Sequence, residues 1–177
     1  MSIAVDPDLL LIQKMRMGNE QAVEAFVRKY YPSILKYCRT HVRDQGYTED
    51  LTQDTFARFF RSFDHYQHYG KAINYLYTIA SHVCRDYYGR VQEIPLETLP
   101  DISEPYTLSP ESQITAKLAL NSLPPEIKET AILFFMQELK QKDIARILGI
   151  GLPLVKYRIK RARELLSDYF SEPSTEL

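Results

Sequence analysis

Residues 140–170 read KQKDIARILGIGLPLVKYRIKRARELLSDYF, and this stretch decides the class of fold. Ile144 and Leu148 fall on one helical face, with the small Ala145 beside them. Gly149 ends the run where a turn needs a positive φ. Ile150 follows, and a second helix begins near Leu152 or Pro153. Its Val155, Ile159, Ala162 and Leu166 lie on a single stripe. A small residue where helices cross, a glycine in the turn and apolar residues locking the pair make a helix-turn-helix pattern. The second helix carries Lys156, Arg158, Lys160, Arg161 and Arg163 with no acid among them. Such a helix can enter a major groove and neutralise phosphates. A helical hairpin with a merely solvated basic face is the plainer alternative, but spacing, turn and charge together favour DNA binding.

Upstream of this pair, Pro124-Pro125 opens the helix EIKETAILFFMQ, and Ser109-Pro110 opens another through about Asn121. Before these lies VQEIPLETLPDISEPYTLSPESQITA, residues 91–116, acidic throughout and without a basic residue. Proline recurs there at 95, 100, 105 and 110. Proline removes amide donors and pushes its predecessor to extended geometry, so no helix runs through. The expected organisation is all-α: a domain over 1–90, a linker over 91–109 and a second domain over 110–177.

The whole chain sets limits on function. It has 177 residues, 22 basic and 23 acidic, for a net charge of −1. No molecule-wide basic field attracts nucleic acid, so such a site must be a local patch. Two cysteines make no disulfide framework, and no apolar run approaches a membrane span. A soluble cytoplasmic protein is expected. No paired catalytic carboxylates, triad or phosphate loop stands out, so neither catalysis nor a cofactor is expected.

The first half reads as four or five helices. Asp6-Pro7 is a start signal and Gly18 a stop. Asn19 caps NEQAVEAFVRKYY, and Pro32 begins or kinks a further helix through about Val42. Thr48 is expected to cap a helix over 49–63 that buries Leu51, Phe56, Phe59, Phe60 and Phe63. Its other face shows Asp50, Asp54, Arg58 and Arg61, either a partner-docking surface or an i,i+4 salt-bridged one. A fourth helix is expected over 71–88, stopping at Gly89. Ile73, Leu76, Tyr77, Ala80, Val83, Cys84 and Tyr87 form its buried stripe. Opposite lie Lys71, Tyr75, Thr78, His82, Arg85 and Asp86. An exposed aromatic beside cations suits stacking on unpaired bases, although a solvated face with one stray tyrosine explains it too. The preceding loop, DHYQHYG over 64–70, has the composition to splay and stack a base. His65 and His68, or Cys38 and His41, are spaced like half of a zinc site, but neither pair has its second half at such spacing, so no metal is expected. Cys38 and Cys84 fall in apolar stripes and read as small core residues, with a redox role left open.

Three stretches together resemble one family. YTEDLTQDTFARFFRSF (47–63), INYLYTIASHVCRDYYGR (73–90) and LPPEIKETAILFFMQELKQKDIARILGIGLPLVKYRIKRARELL (123–166) resemble regions 2 and 4 of the ECF-type sigma factors, small subunits of bacterial RNA polymerase. The resemblance implies that Asp50, Gln53 and Asp54 dock on the clamp of the polymerase largest subunit. It implies that the 64–71 loop, with His65 and Tyr66, and the face bearing Lys71, Tyr75, Thr78, His82 and Arg85 melt and capture the −10 element. Arg90 would hold backbone. The 152–163 helix would read the −35 element: Lys156, Tyr157, Lys160 and Arg161 face away from the apolar stripe, while the more lateral Arg158 and Arg163 suit phosphates. The implied partners are core polymerase, promoter DNA and an anti-sigma protein.

The sequence also departs from the family pattern. Tyr75 stands for the usual Trp, His82 for Asn, Pro153 for Gly and Leu154 for Thr, and few basic residues follow Arg90. The rival readings are a stand-alone helix-turn-helix regulator that never binds core, which leaves 47–90 unexplained, and a helical protein-interaction module.

Overall fold

The computed structural model describes residues 6–42, 44–91 and 110–171, with backbone alone at 91 and 110–114. The chain divides into two compact units, 1–100 and 101–177. Among the described residues there are eight α-helices and no strand. They are α1 (Pro7–Arg16), α2 (Glu20–His41), α3 (Gln45–Arg61), α4 (Ala72–Val91), α5 (Pro110–Asn121), α6 (Pro125–Ala131), α7 (Gln141–Leu148) and α8 (Leu152–Ser171). The all-α expectation holds. The expected linker over 91–109, save the backbone of Val91, and the Ser109 start signal lie outside the described residues.

The first unit is α1–α4. Asp6 caps α1 through Asp8 N at 3.0 Å, and Gly18 turns out of it at φ +78°. Asn19 caps α2 through Ala22 N at 2.9 Å. Pro32 neither begins nor ends a helix: α2 runs through it. The proline ring is exposed, while Phe26, Tyr30, Ile34, Tyr37 and Cys38 on the other side are buried. That continuous apolar stripe outweighs one lost hydrogen bond.

Two helix boundaries differ from expectation. Asp44, not Thr48, caps α3, its carboxylate accepting from Gly46 N at 2.7 Å. Thr48 lies buried within the first turn and donates back to the Asp44 carbonyl at 3.0 Å. Thr52 and Thr55 do likewise to Thr48 and Leu51, at 2.8 Å each. The small satisfied side chains let α3 pack against its neighbours without orphaned hydroxyls. α4 continues past Gly89 to Val91. An interior glycine costs about 1 kcal/mol, too little to end a helix anchored by burial.

An aromatic core joins these helices. Phe26 stacks on Phe59 with centroids 4.9 Å apart, and Tyr37 meets Tyr77 edge-on at 5.5 Å. Burial pushes the Tyr77 hydroxyl up to about 12.

In the second unit the expected helix after Pro125 is shorter. It gives way at Ile132–Met136 to a single π-type turn, closed by Gln137 N to the Ile132 carbonyl at 3.1 Å. Ile132 and Leu133 are fully buried there, so the wider turn serves packing. Gly149 takes φ +64° and closes α7 onto the Ala145 and Arg146 carbonyls. The Gly151 carbonyl accepts from Leu154 N at 3.1 Å and Val155 N at 3.2 Å, which starts α8 from the backbone. Val155, Ile159 and Ala162 are buried as the stripe predicts, and Leu166 is only half-buried.

Candidate nucleic-acid interface

The buried stripe of α8 turns its other side outward. Lys156, Tyr157, Lys160 and Arg161 are exposed, Tyr157 at 60%. Three of the cations on this helix are engaged, Arg161 at the surface. Arg158, its side chain 14% exposed, reaches Glu126 Oε2 at 3.2 Å. The Arg163 guanidinium lies 5.6 Å from the Phe134 ring centroid and 5.8 Å from that of Phe135. Arg161 pairs with Glu164 at 3.0 Å. Arg158 and Arg163 thus brace α8 against α6 and the π turn, while Lys156, Tyr157 and Lys160 head into solvent.

On the first unit, the sequence-expected aromatic is differently placed. Tyr75 is half-buried and stacks on Tyr66, centroids 5.1 Å apart and planes 28° from parallel. It is therefore not the exposed platform its helical position predicts. Tyr66 is not splayed either: it is 7% exposed, packed against Phe59 and Phe63. Burial pushes its hydroxyl up to about 12. The loop's outward aromatic is Tyr69, 79% exposed, whose hydroxyl donates to Gln67. The sequence places Tyr69 inside the capture loop without singling it out, although its place beside Gly70 at the loop tip marks it as exposed. His65, Lys71, His82, Arg85 and Arg90 are exposed, Arg90 in the last turn of α4. Thr78 is half-buried and bonds back to the Asn74 carbonyl at 3.1 Å.

The loop is fastened to α1, a relationship no local sequence signal announces. His68 Nε2 lies 2.6 Å from Asp6 Oδ2, and its Nδ1 lies 2.9 Å from the Tyr66 hydroxyl. The His68 contact holds the Asp6 carboxyl below the usual carboxylate range. Asp8, buried, accepts from Lys29 Nζ at 2.7 Å, from the Tyr30 hydroxyl and from Ala72 N at 3.2 Å. Burial alone would raise its pKa, but these donors outweigh that and leave it lowered. Arg16 donates to the Tyr66 carbonyl and lies 5.6 Å from the Phe63 ring centroid.

Along α3, Asp50 and Gln53 are exposed, and half-buried Asp54 pairs with Arg58 at 3.0 Å. The expected i,i+4 salt bridge is therefore present on the same face as the docking candidates. Arg58 also reaches Asp86 on α4 at 2.9 Å and holds that carboxyl below its usual range.

The spaced histidines have other occupations. His68 is engaged as above, and His41 Nδ1 donates to the Tyr37 carbonyl at 2.9 Å. Cys38 and Cys84 are buried cysteines with sulfurs 4.0 Å apart. Among the described residues no three metal-ligating side chains converge.

Comparison with known proteins adds a consistent picture. The model of Sigma-70 region 2 matches residues 26–93, and that of Sigma-70, region 4 matches 116–166. The chain is 32% identical over 172 residues to the ECF RNA polymerase sigma factor SigE of Mycolicibacterium smegmatis, covering 90% of this chain and 66% of that relative. It is 30% identical over 159 residues to the RNA polymerase sigma factor YlaC of Bacillus subtilis, covering 83% of this chain and 91% of that one. Two solved structures share the fold. CnrH, in complex with the cytosolic domain of CnrY, matches at TM-score 0.73 and 20% identity, over 91% of this chain and 95% of that one. The sigma factor RpoE of Bartonella quintana, in complex with the anti-sigma factor NepR, matches at TM-score 0.70 and 22% identity, over 84% and 96%.

Proposed function

This chain belongs to the ECF RNA polymerase sigma-factor family, and from that premise we propose that it directs transcription initiation by binding core polymerase and recognising −10 and −35 promoter elements. The domains of action are 1–90 and 110–177, joined by the 91–109 linker. The factor carries no reaction of its own. It lends sequence specificity to the polymerase and works in the bacterial cytoplasm, where the polymerase is. No helix among the described residues is long and apolar enough to cross a membrane.

The physical division of labour follows from the side chains. Asp50, Gln53 and Asp54 present the acidic docking face to the clamp. The 64–71 loop and the outward residues of α4 hold the unpaired −10 strand, with Tyr69 as the stacking side chain and Lys71, His82, Arg85 and Arg90 near backbone. Unstacking a base costs a few kcal/mol, which stacking on an aromatic of about 1–3 kcal/mol per base offsets. Lys156, Tyr157 and Lys160 enter the −35 major groove. Two modest contacts tethered through one polymerase act at high effective concentration, so neither has to be tight alone. The near-neutral net charge suits a factor that binds DNA tightly only within holoenzyme. An anti-sigma protein covering these faces is the partner expected in the resting state.

The observation that carries the reading is α8: one side fully buried by Val155, Ile159 and Ala162, the other offering Lys156, Tyr157 and Lys160. A stand-alone regulator would need this helix but not the region 2 match over 26–93. The deciding experiment is pull-down of purified core polymerase followed by run-off transcription on a promoter library. Core binding with promoter-specific transcripts supports the proposal; duplex binding without core binding would replace it with the stand-alone regulator.

A further inference from the structure

We propose that Asp6, Asp8 and His68 are positioning residues for −10 strand capture: they clamp the 64–71 loop onto the start of α1 and so fix the outward residues that the strand meets. The inference rests on the reading of that loop as the −10 contact and extends it to residues far from the strand.

The clamp has two ends. Midway along the loop, the His68 ring bridges the Asp6 carboxylate and the Tyr66 hydroxyl. An ionised Asp6 can only accept, so Nε2–H of the ring donates to it, while Nδ1 shares a hydrogen bond with the Tyr66 hydroxyl. Tyr66 in turn supports Tyr75 by stacking, so the link continues into α4. At the exit, Asp8 accepts from Ala72 N and caps the first turn of α4 from another helix. Asp8 is itself held by Lys29 and Tyr30 of α2, so this end is tied to the core of the unit.

The segment between the anchors is short. Tyr69, Gly70 and Lys71 are exposed, and Gly70 at φ +101° gives the reversal that turns Tyr69 outward. A loop pinned on both sides loses little further freedom when a base stacks on it. Released, the same loop must be ordered at the moment of capture, and affinity for unpaired DNA falls without any loss of a direct contact.

The test separates this role from a structural one. Asp6→Ser retains a side-chain oxygen for the α1 cap but is too short to reach His68. His68→Ala removes the other end. Both single variants and the double variant, reconstituted with core polymerase, are titrated with a single-stranded −10 oligonucleotide carrying a fluorescent base. Each single variant is expected to bind about five- to tenfold more weakly, with the double variant no weaker than either. Core affinity is expected to stay close to that of the unmodified chain in all three, and the melting temperature to stay close to it in Asp6→Ser, whereas His68→Ala also takes away a partner of the buried Tyr66 hydroxyl and lowers stability. Full binding by Asp6→Ser, or additive losses accompanied by lower core affinity and stability, would overturn the proposal. Tyr69→Ala combined with Lys71→Ala reports on the underlying reading. If that variant weakens oligonucleotide binding but Asp6→Ser does not, the clamp alone fails; if it binds normally, the loop is not the capture site and the inference falls with it.

Discussion

Arg58 Nη1 lies 2.9 Å from Asp86 Oδ2, so a side chain of α3 already paired with Asp54 on its own helix also grips α4. Asp54 is therefore not a free carboxylate awaiting the polymerase. Its partner joins the proposed docking face to the helix proposed to hold the −10 strand. The cluster is partly exposed, and surface pairs of this kind contribute only tenths of a kcal/mol to stability. Its weight lies in orientation.

Charge reversal on this face is expected to separate docking from folding. Asp50→Lys should lower core affinity by about tenfold or more, since it reverses the charge of an exposed residue of the proposed docking face, while the melting temperature stays nearly constant. Asp54→Lys should also weaken core binding, with an added loss of about 0.5 kcal/mol because it faces Arg58. Competition binding against a labelled sigma factor, alongside thermal denaturation, measures both. Unaltered core affinity in both variants would move the docking face elsewhere.

The two tyrosines near the −10 loop should behave oppositely. Tyr75→Ala removes a ring stacked on Tyr66 and close to Phe59, and should destabilise the first unit by about 1–3 kcal/mol. Tyr69→Ala should leave stability within about 0.5 kcal/mol but reduce promoter opening by about tenfold, read by permanganate reactivity of −10 thymines. Normal opening with Tyr69→Ala would return the stacking role to the α4 face.

These contrasts show where the sequence stops being informative. The α8 stripe and the Gly149 turn were legible because burial and turn chemistry leave periodic local marks. Asp44 escapes a sequence reading because Thr48, just before the acidic Glu49 and Asp50, offers a capping pattern of its own, and Gly89 misleads because its propensity is weaker than the packing around it. Tyr75 looked exposed because helical position gives a direction but not the identity of the neighbour; Tyr66, arriving from the loop, covers it. The Asp6–His68 and Asp8–Ala72 bonds join residues more than sixty positions apart, and no spacing rule reaches that far.

Asp8 gives a pH signature. Its folded pKa is lowered, so the stability it contributes is present above the unfolded carboxylate range and lost as pH falls through the folded value. Asp8→Asn should cost about 2 kcal/mol near neutral pH, because Lys29 loses its charge partner and the Ala72 amide is less well capped. The two proteins should converge in stability in acid, below the folded pKa, where the native side chain is protonated as well. Denaturant unfolding at several pH values measures the gap. A gap that widened in acid would contradict the assigned direction.

The cations of α8 should divide by salt dependence rather than by charge. Lys156 and Lys160 are exposed on the side opposite the buried stripe, so each is expected to displace counterions from DNA. Replacing both by Ala should reduce the slope of log affinity against log salt by about 1.8, from roughly 0.9 per phosphate contact. Arg158 and Arg163 carry the same formal charge but are engaged with Glu126 and with the Phe134 and Phe135 rings. Arg163→Ala should therefore destabilise the second unit by about 0.5–1 kcal/mol and change the salt slope by less than one lysine does. Lys160→Ala with Arg161→Ala should weaken −35 dependence while core binding is retained. Measurement on a −35 duplex held within holoenzyme, repeated across salt concentrations, keeps non-specific attraction separate from groove contacts. Equal slopes for all of these variants would mean that α8 meets DNA through its flank rather than through the face that Lys156, Tyr157 and Lys160 share.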